Sequence, residues 1–354
     1  MTHCCTDPVH RSAAGRGARC CVGSLSFKGS SSAVPLAMED LRGLWSAPGA
    51  ALAWSSPFVL PPWLMHWWDV FGVGQELLLW EIRDGERLLG IAPLRATGDA
   101  ARFLGSVDLC DYQDFIIRPG LEADFFGALL QVLRERGVSH LDLSGLRPDS
   151  ATMLSLPAAA AMLGCRVDLE QENLSYELAL PASWEAYLSG LSGKERHEIH
   201  RKFRRLNQSL PYGPEVLHTP SEVEAAMDEF IRLFRMSRPE KEAFLSESRE
   251  AFLRGVTRSM AEAGLVKLTF LRAGSSRVAA ALCYDMNGTV YLYNSGMDPE
   301  YRDLSAGLLC KLLSVRHSIE AGRVVYDFLK GAETYKARLG ARPVPLYRCR
   351  LDLE

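Results

Sequence analysis

A short loop of small residues next to an arginine is the first feature of the sequence that could bind a charged ligand. Residues 302–307 read Arg-Asp-Leu-Ser-Ala-Gly and stand between a predicted strand and a predicted helix. Small side chains let backbone N–H groups approach a ligand, the helix adds the positive end of its dipole, and Arg302 adds a fixed charge. Ser305 before a helix is also an ordinary N-cap residue. The pattern therefore predicts either a pyrophosphate-binding loop, with Arg302, Ser305, Ala306 and Gly307 as its contacts, or a simple helix start.

The most strongly charged segment of the sequence is residues 192–205. Six Lys and Arg stand there against two Glu, and the apolar residues recur at helical spacing, which predicts a basic amphipathic helix over 193–206. Its charged faces are either solvated or bind an anion, and in the second case Arg201 and Arg205 are predicted contacts. Nucleic acid, including a tRNA, is the less favoured partner. Two histidines in the segment lack a third ligand at metal spacing, so no metal site is predicted.

The order of elements in the first half of the chain recurs in the second half. Each half shows a hairpin, a further strand, a loop, a helix that ends at Gly, and a strand that carries an Asp. The hairpin glycine precedes that Asp by 57 residues in the first half (Gly85 to Asp142) and by 53 in the second (Gly274 to Asp327). Such a repeat indicates a duplicated supersecondary unit. We therefore predict an α/β (α+β) fold of two related domains, each a mixed, mainly antiparallel sheet flanked by helices.

The two copies differ at the loop that precedes the helix. In the first copy this loop is Arg118–Ala123, whose Pro119 and Glu122 suit an anion poorly. We therefore expect one working site, in the second copy, and one degenerate site. The sequence holds no Ser nucleophile elbow, P-loop, HExxH motif or Rossmann glycine run in the position that each requires, which excludes those reaction classes.

Composition bounds the class of protein. The chain has 354 residues, of which 47% are hydrophobic and 23% charged, and its net charge of −3 argues against a surface that coats nucleic acid or membranes. No apolar run approaches the ~20 residues of a spanning helix. Residues 1–37 are small, polar and rich in Gly and Ser, so we expect a disordered leader, and Met38 is an alternative start to Met1. Four of the nine cysteines lie in this leader, and the other five are typical of a reduced, cytoplasmic protein.

The closing segment of the sequence resembles a known family. Residues 326–340, YDFLKGAETYKARLG, look like the D-F-x-x-G-x-E-x-Y-K-x-R signature of bacterial acetyltransferases that include CelD-like cellulose-biosynthesis proteins. That family is related to the Fem peptidoglycan aminoacyltransferases and shares their tandem GNAT arrangement. The loop at 302–307 resembles the acyl-CoA loop of GNAT-fold acyltransferases, with Ser305 where Gly is usual. The resemblance implies an N-terminal, degenerate GNAT-like domain over 38–170 and a C-terminal GNAT acetyltransferase domain over 171–354.

The resemblance also implies a mechanism, which is direct acyl transfer from acetyl-CoA or another acyl-CoA without a covalent enzyme intermediate or a metal. The thioester carbonyl would be polarised by backbone N–H groups near a bulged strand that reaches Asn294 and Ser295. The other residues implied are the base candidates Asp327 and Glu333, Tyr335 as acid for the leaving thiolate, Lys336 as a stabiliser of negative charge, and the substrate contacts Asp111, Tyr112 and Lys330, with Arg201 and Arg205 from the basic helix.

Three functions remain open at this point. The first is an acyl-CoA-dependent N- or O-acyltransferase, or acetyltransferase, that acts on an amine or hydroxyl of a small molecule, a sugar, a peptide or a cell-envelope precursor. The second is a Fem-like aminoacyltransferase that uses aminoacyl-tRNA, which the basic helix would serve. The third is a non-catalytic binding protein with the same fold. The sequence does not identify the acceptor, and a role in polysaccharide biosynthesis follows by analogy alone.

Overall fold

A computed structural model describes residues 31–47, 51–209 and 211–353. Its strands are β1 (Ser31–Pro35), β2 (Glu76–Asp84), β3 (Arg87–Thr97), β4 (Ala100–Phe103), β5 (Ile116–Ile117), β6 (His140–Leu146), β7 (Arg166–Ala179), β8 (Tyr212–Leu217), β9 (Val266–Ala273), β10 (Ser276–Met286), β11 (Thr289–Met297), β12 (Val325–Lys330) and β13 (Arg342–Asp352). Its α-helices are α1 (Asp40–Ser46), α2 (Pro61–Phe71), α3 (Glu122–Glu135), α4 (Ala151–Met162), α5 (Trp184–Gly190), α6 (Gly193–Ser209), α7 (Pro220–Met236), α8 (Pro239–Phe244), α9 (Glu247–Glu262), α10 (Ala306–Glu320) and α11 (Thr334–Arg338).

The strands form one mixed sheet, in which two related sets of strands lie side by side and meet at the centre. The order is β1-β2-β3-β4-β6-β13-β7-β12-β11-β10-β9-β8, and β5 pairs with β3 beside this path. The N-half (β1 to β7) and the C-half (β8 to β13) therefore follow the same sequence of strands outward from the centre. Their equivalence rests on shared pairings: Gly90–Ile117 with Ala279–Met297, and Leu94–Phe103 with Cys283–Leu292. The predicted fold, a mixed sheet flanked by helices in two related halves, is confirmed.

The centre of the sheet is an exchange of strands between the halves. Strand β7 follows the helices of the N-half but pairs with β12 of the C-half, whereas β13, the last strand, pairs with β6 of the N-half. These two central strands also pair with each other over their length. The boundary predicted at 170/171 therefore falls inside β7, and the sheet of each half is completed by a strand from the other half. Backbone hydrogen bonds across this centre join the two halves into a single sheet.

The predicted leader is wrong at its end. Residues 31–35 form β1, which pairs antiparallel with β2 from Ser31 opposite Asp84 to Pro35 opposite Trp80. No periodic pattern marks this strand, because most residues of β1 are small and an edge strand is held by backbone hydrogen bonds more than by buried side chains. Residues 1–30 of the predicted leader lie outside the described residues.

An aromatic core lies where the N-half and the C-half meet. Trp63 of α2 is fully buried and makes edge-on contacts with Phe252 of α9, Tyr284 of β10 and Tyr293 of β11. Helices α2, α7 and α9 thus share one apolar cluster with the C-half sheet, while two further clusters lie within the individual halves. Burial of this aromatic area fixes the halves against each other, since each aromatic side chain removes a large apolar surface from water. Within the described ranges, no helix is long and apolar enough to span a bilayer.

Candidate functional site

Strands β11 and β12 pair in parallel over three residues and then separate. Thr289–Tyr291 pairs with Val325–Asp327, and just beyond this point β11 bulges at Tyr293, which has no partner in the register with β10. Strand β12 turns away through Leu329, whose φ of 58° is left-handed. The split leaves a cavity of about 200 Å³, the strand-split cavity, whose walls include Asn294. Backbone groups that face the split lack a strand partner there, so an inserted ligand with amide groups can pair with them.

A larger cavity of about 470 Å³ adjoins the split at the start of α10, and Ser295 lies in the walls of both. Arg302 and Gly307 line the larger cavity, and the buried Ala306 directly precedes Gly307. A Cβ on Gly307 would approach Met297 Sδ to 2.8 Å, so the glycine keeps the helix start close to β11. The N–H groups of a first helical turn have no partner inside the helix. The helix start therefore presents donors to a ligand in this cavity.

The larger cavity, called the cationic cavity from here on, carries four basic side chains and one carboxylate. They are Arg238, Lys241, Arg302, Lys311 and Glu333. Lys241 Nζ donates a hydrogen bond to the carbonyl of Ser295 and lies 4.6 Å from the Phe234 ring centroid. Burial lowers the pKa of Lys241 to about 7, and the charges of Lys311 and Arg238 act in the same direction. Burial also lowers the pKa of Lys311. A bound anion would relieve this crowding of positive charge.

Two cations of α6 contact the loop before α10. Ser305 has a left-handed φ of 60°, a conformation that favours glycine and so fits the glycine usual at this place in GNAT loops. Its hydroxyl does not cap the helix; it accepts a hydrogen bond of 2.8 Å from Lys202 Nζ and lies 3.4 Å from Arg205 Nη2. Arg201, by contrast, is 49% exposed and is paired with Glu198. Of the two predicted α6 contacts, the structure therefore brings Arg205 to the loop and leaves Arg201 in solvent.

Sequence reasoning missed the two lysines of the cationic cavity and Lys202. Lys241 lies in the six-residue helix α8, whose sequence PEKEAF resembles an ordinary surface turn. Lys311 interrupts the apolar pattern of α10 and reads as a solvated position. The available signal was weak, since a lone lysine in a short helix is common. Only the packing of α8 and α10 around the end of β11 places both ammonium groups in one cavity.

The closing segment, residues 326–340, lines the site, but its charged groups Lys336 and Glu333 already have partners within the protein. Lys336 is 2% exposed and donates to the carbonyls of Leu329, Lys330 and Gly331 at 2.8–3.0 Å, and it pairs with Glu333 at 2.9 Å. It thus fastens the end of β12. Burial opposes the ionisation of Glu333, but the hydrogen bond and charge of Lys336 hold its pKa below the usual range.

Tyr335 lies in the walls of both cavities. Burial, together with the charge of Glu333, raises its pKa. A raised pKa keeps the phenol protonated at neutral pH, so Tyr335 is a hydrogen-bond donor rather than a base.

Asp327 lies at the junction of the halves rather than in either of these cavities. It is 1% exposed, and its carboxylate accepts hydrogen bonds of 2.7 Å from Tyr112 Oη and from the N–H of Leu329. Burial raises the pKa of Asp327 to about 7, although the hydrogen bond from Tyr112 opposes the shift. Tyr112 in turn lies under the guanidinium of Arg147, at 5.0 Å. These contacts make the predicted base Asp327 and the predicted substrate contact Tyr112 a link between the halves.

Asp111 and Lys330 form a second link, at the edge of the strand-split cavity. Asp111 accepts a hydrogen bond of 3.0 Å from the N–H of Lys330, and both residues line the cavity. Lys330 Nζ donates to the carbonyls of Val107 and Cys110. Burial raises the pKa of Asp111. A loop of the N-half thus forms one wall of a cavity that otherwise belongs to the C-half. No group of His, Cys, Asp and Glu suited to a metal ion was found in the described part of the chain.

Comparison with known proteins agrees with this geometry. Residues 193–337 match a family model described as an acetyltransferase (GNAT) domain, whereas no curated protein matches the sequence. The crystal structure of FemX superposes with a TM-score of 0.59 at 11% identity over 90% of this chain and 96% of FemX. A conserved protein of unknown function from Bacteroides thetaiotaomicron gives 0.56 at 12% identity over 90% of this chain and 98% of its own. L-PGS from Bacillus licheniformis gives 0.50 at 10% identity, over 74% and 80%. Residues 193–337 are therefore similar to a GNAT acetyltransferase domain, and the fold of the chain is similar to that of FemX.

Proposed function

We propose that this protein is an acyl-CoA-dependent N- or O-acyltransferase that transfers the acyl group directly to its acceptor. The observation that carries the proposal is the split between β11 and β12 where it opens into the cationic cavity at the start of α10. An extended arm with amide groups suits the strand edges, and phosphate groups suit the helix start and the basic side chains. An acyl-CoA combines these two parts in one molecule.

The residues present fit such a donor. Lys311, Arg238 and Arg302 line the cationic cavity, and none of them forms a salt bridge with a carboxylate of the described ranges, so their charge is available to phosphate oxygens. Bound acyl-CoA would supply an activated thioester. The backbone at the Tyr293 bulge would orient and polarise its carbonyl, because the bulge turns backbone groups out of the regular ladder.

Proton transfer falls to Lys241 in this proposal. It lies in the walls of both cavities, and a pKa near 7 leaves much of its amine neutral at neutral pH. Nζ can then accept the proton of the attacking amine or hydroxyl. Tyr335 Oη can donate a proton to the leaving thiolate, while Glu333, held ionised by Lys336, is a weak base. The acceptor would be an amine or hydroxyl of a small molecule, a sugar or an envelope precursor, and the CelD-like resemblance supports a saccharide.

Aminoacyl transfer from aminoacyl-tRNA is the second candidate. The exposed cations of α6, Lys194, Arg201 and Arg204 among them, favour it, because a run of exposed basic side chains suits a polyanion. Likeness to FemX fits this reading as well as the first. A third candidate, a binding protein without turnover, keeps the fold but transfers no acyl group.

Titration calorimetry of the full chain with acetyl-CoA and with aminoacyl-tRNA separates the candidates. Micromolar binding of acetyl-CoA, together with release of free CoA when acceptor amines or sugars are added, is the expected result. Binding of aminoacyl-tRNA with no heat from acetyl-CoA would replace the proposal with the second candidate. Binding of acetyl-CoA without CoA release from any acceptor would favour the third.

A further inference from the structure

The N-half contains a cavity that occupies the place of the cationic cavity. In the C-half the cavity lies between the end of β11 and the starts of α10 and α11. In the N-half a cavity of the same volume, about 470 Å³, lies between the β5 segment and the starts of α3 and α4. Glu122 opens α3 as Ala306 opens α10, and Ile117 matches Met297 in strand register. The duplication has therefore kept this hollow, here called the N-half cavity, in both halves.

The charged residues that line the N-half cavity are mostly acidic, whereas those that line the cationic cavity are mostly basic. Asp114, Glu122 and Asp149 line it, against one basic residue, Arg147. Arg147 is already paired with Asp149 and with Glu177. The start of α4 offers no free donors to an anion, because Asp114 accepts hydrogen bonds from the N–H groups of Ala151 and Thr152. Glu122 accepts the N–H of Gly120 before α3. An anion is therefore repelled where the C-half attracts one.

A buried hydroxyl in the wall lacks a partner. Ser56 is 3% exposed and lines the cavity, and its Oγ makes no hydrogen bond to any part of the protein that the structure describes. A buried hydroxyl without a partner is unfavourable, so Ser56 marks a place where a ligand could form a hydrogen bond. Ser55, Ser150 and Ser155 line the same hollow, and Leu154, 70% exposed, forms an apolar rim.

We propose that the N-half cavity binds a small polyhydroxylated ligand that carries a positive charge, of the amino-sugar class. The serine hydroxyls would take its hydroxyl groups, Glu122 its ammonium group, and Leu154 with Phe115 the apolar face of its ring. This site does not depend on the acyl-CoA proposal, because no residue of the cationic cavity contributes to it.

The test is calorimetric titration of the full chain with D-glucosamine, with glucose and glucuronate as probes of the same ring. Saturable binding is expected in the order glucosamine, then glucose at least fivefold weaker, with no binding of glucuronate. Binding of glucuronate as tight as that of glucosamine, or no binding of glucosamine up to tens of millimolar, would overturn the proposal.

Two variants locate the site. Glu122→Gln should weaken glucosamine binding about tenfold and leave glucose little changed, whereas Asp124→Asn, in the same helical turn but outside the cavity, should leave both unchanged. Ser56→Ala should weaken both sugars severalfold without loss of thermal stability, since it removes a hydroxyl that has no partner. Glucosamine binding that is equal in Glu122→Gln and in Asp124→Asn would show that the sugar binds elsewhere and would refute the assignment. Neither result bears on acetyl-CoA binding, which the Lys311→Met variant reports separately.

Discussion

The N-half and the C-half share a framework of strands but diverge where the first strand of the parallel pair leads into its helix. In the C-half, Leu292 and Met297 are five positions apart and a single bulged residue lies between them. In the N-half the equivalent residues, Phe103 and Ile117, are fourteen positions apart. The additional residues form an insertion loop, 104–113. A bulge in one copy has thus become a loop in the other.

The insertion loop leaves its own half and serves the other one. Its carbonyls at Val107 and Cys110 hold Lys330, that of Leu109 accepts a hydrogen bond from Tyr293 Oη, and Asp111 lines the strand-split cavity. The two halves thus hold cavities of similar volume that differ in the length of the adjoining loop and in the charge of their side chains. A loop of the N-half forms a wall of the strand-split cavity, and the C-half supplies its other residues.

Replacing the amine of Lys241 should have the largest effect. In Lys241→Met, kcat for acyl transfer should fall roughly 100- to 10,000-fold, the range of a lost general base. The wild-type kcat/KM should rise with pH through about 7, because the neutral amine is the active form. Lys194→Met, on the exposed face of α6, is the control. Turnover that is unchanged in Lys241→Met would remove this lysine from the mechanism.

Adding a side chain at Gly296 should have the next largest effect, which is a loss of stability. In the C-half an ideal Cβ on Gly296 would come within 2.4 Å of the backbone of Leu233 and Phe234 in α7, whereas the equivalent position in the N-half is Ile116. Gly296→Ala should lower the free energy of unfolding by about 1–3 kcal/mol, because backbone atoms must shift. Urea denaturation measures this. Gly213→Ala, where the added Cβ meets nothing within 4 Å, should leave stability almost unchanged, and equal losses in both variants would argue against the close packing of α7.

Removing a cation from the cationic cavity should weaken the binding of acetyl-CoA without lowering the stability of the fold. Lys311→Met should weaken acetyl-CoA binding about tenfold, which corresponds to about 1.4 kcal/mol. Calorimetry on Arg316→Met, five positions along the same helix and paired with Glu320 in solvent, should show wild-type affinity. If both variants bind equally well, the phosphates lie elsewhere.

The buried link between the halves should make stability depend on pH. Asp327 has a folded pKa of about 7, above its ordinary value of 3.8, so folding takes up a proton between about pH 4 and 7. The stabilisation is complete below pH 4 and is lost as pH rises through 7, with a slope of up to about 1.4 kcal/mol per pH unit. In Asp327→Asn that slope should flatten, as measured by urea denaturation from pH 4 to 8. Tyr112→Phe, which keeps the carboxyl, should retain a slope, and a wild-type slope in Asp327→Asn would place the titrating group elsewhere.

Substitutions on the two faces of α6 should have the smallest effects, and these effects should differ in their size on acetyl-CoA affinity. Arg201→Gln should change acetyl-CoA affinity by less than twofold, because an exposed ion pair contributes little. Arg205→Gln should weaken it severalfold, since Arg205 contacts Ser305 beside the helix start. Equal effects would mean that α6 acts through its overall charge, as the tRNA reading requires.

Much of the framework was predictable from the residues, and much of the site was not. The repeat, the basic helix and the loop at 302–307 follow from apolar periodicity and charge, which act over a few residues. Lys241 was not predictable, because nothing within its six-residue helix distinguishes it from a solvated lysine. Lys336 was predictable in place but not in role, since its three carbonyl partners come from the bend of β12. Strand β1 was missed because edge pairing requires little side-chain pattern.

The sequence by itself determined the duplicated order of strands and helices, the second copy as the place of the small-residue loop, and the cationic character of α6. These are local properties, set by side-chain spacing and by charge along the chain. Only the tertiary structure decided that β7 and β13 exchange between the halves, that the insertion loop forms a wall of the C-half cavity, and that Asp327 bonds Tyr112 instead of lining the strand-split cavity. Those outcomes depend on pairing and burial between residues up to more than two hundred positions apart, where the free energy of long-range contacts, and not local preference, selects the arrangement.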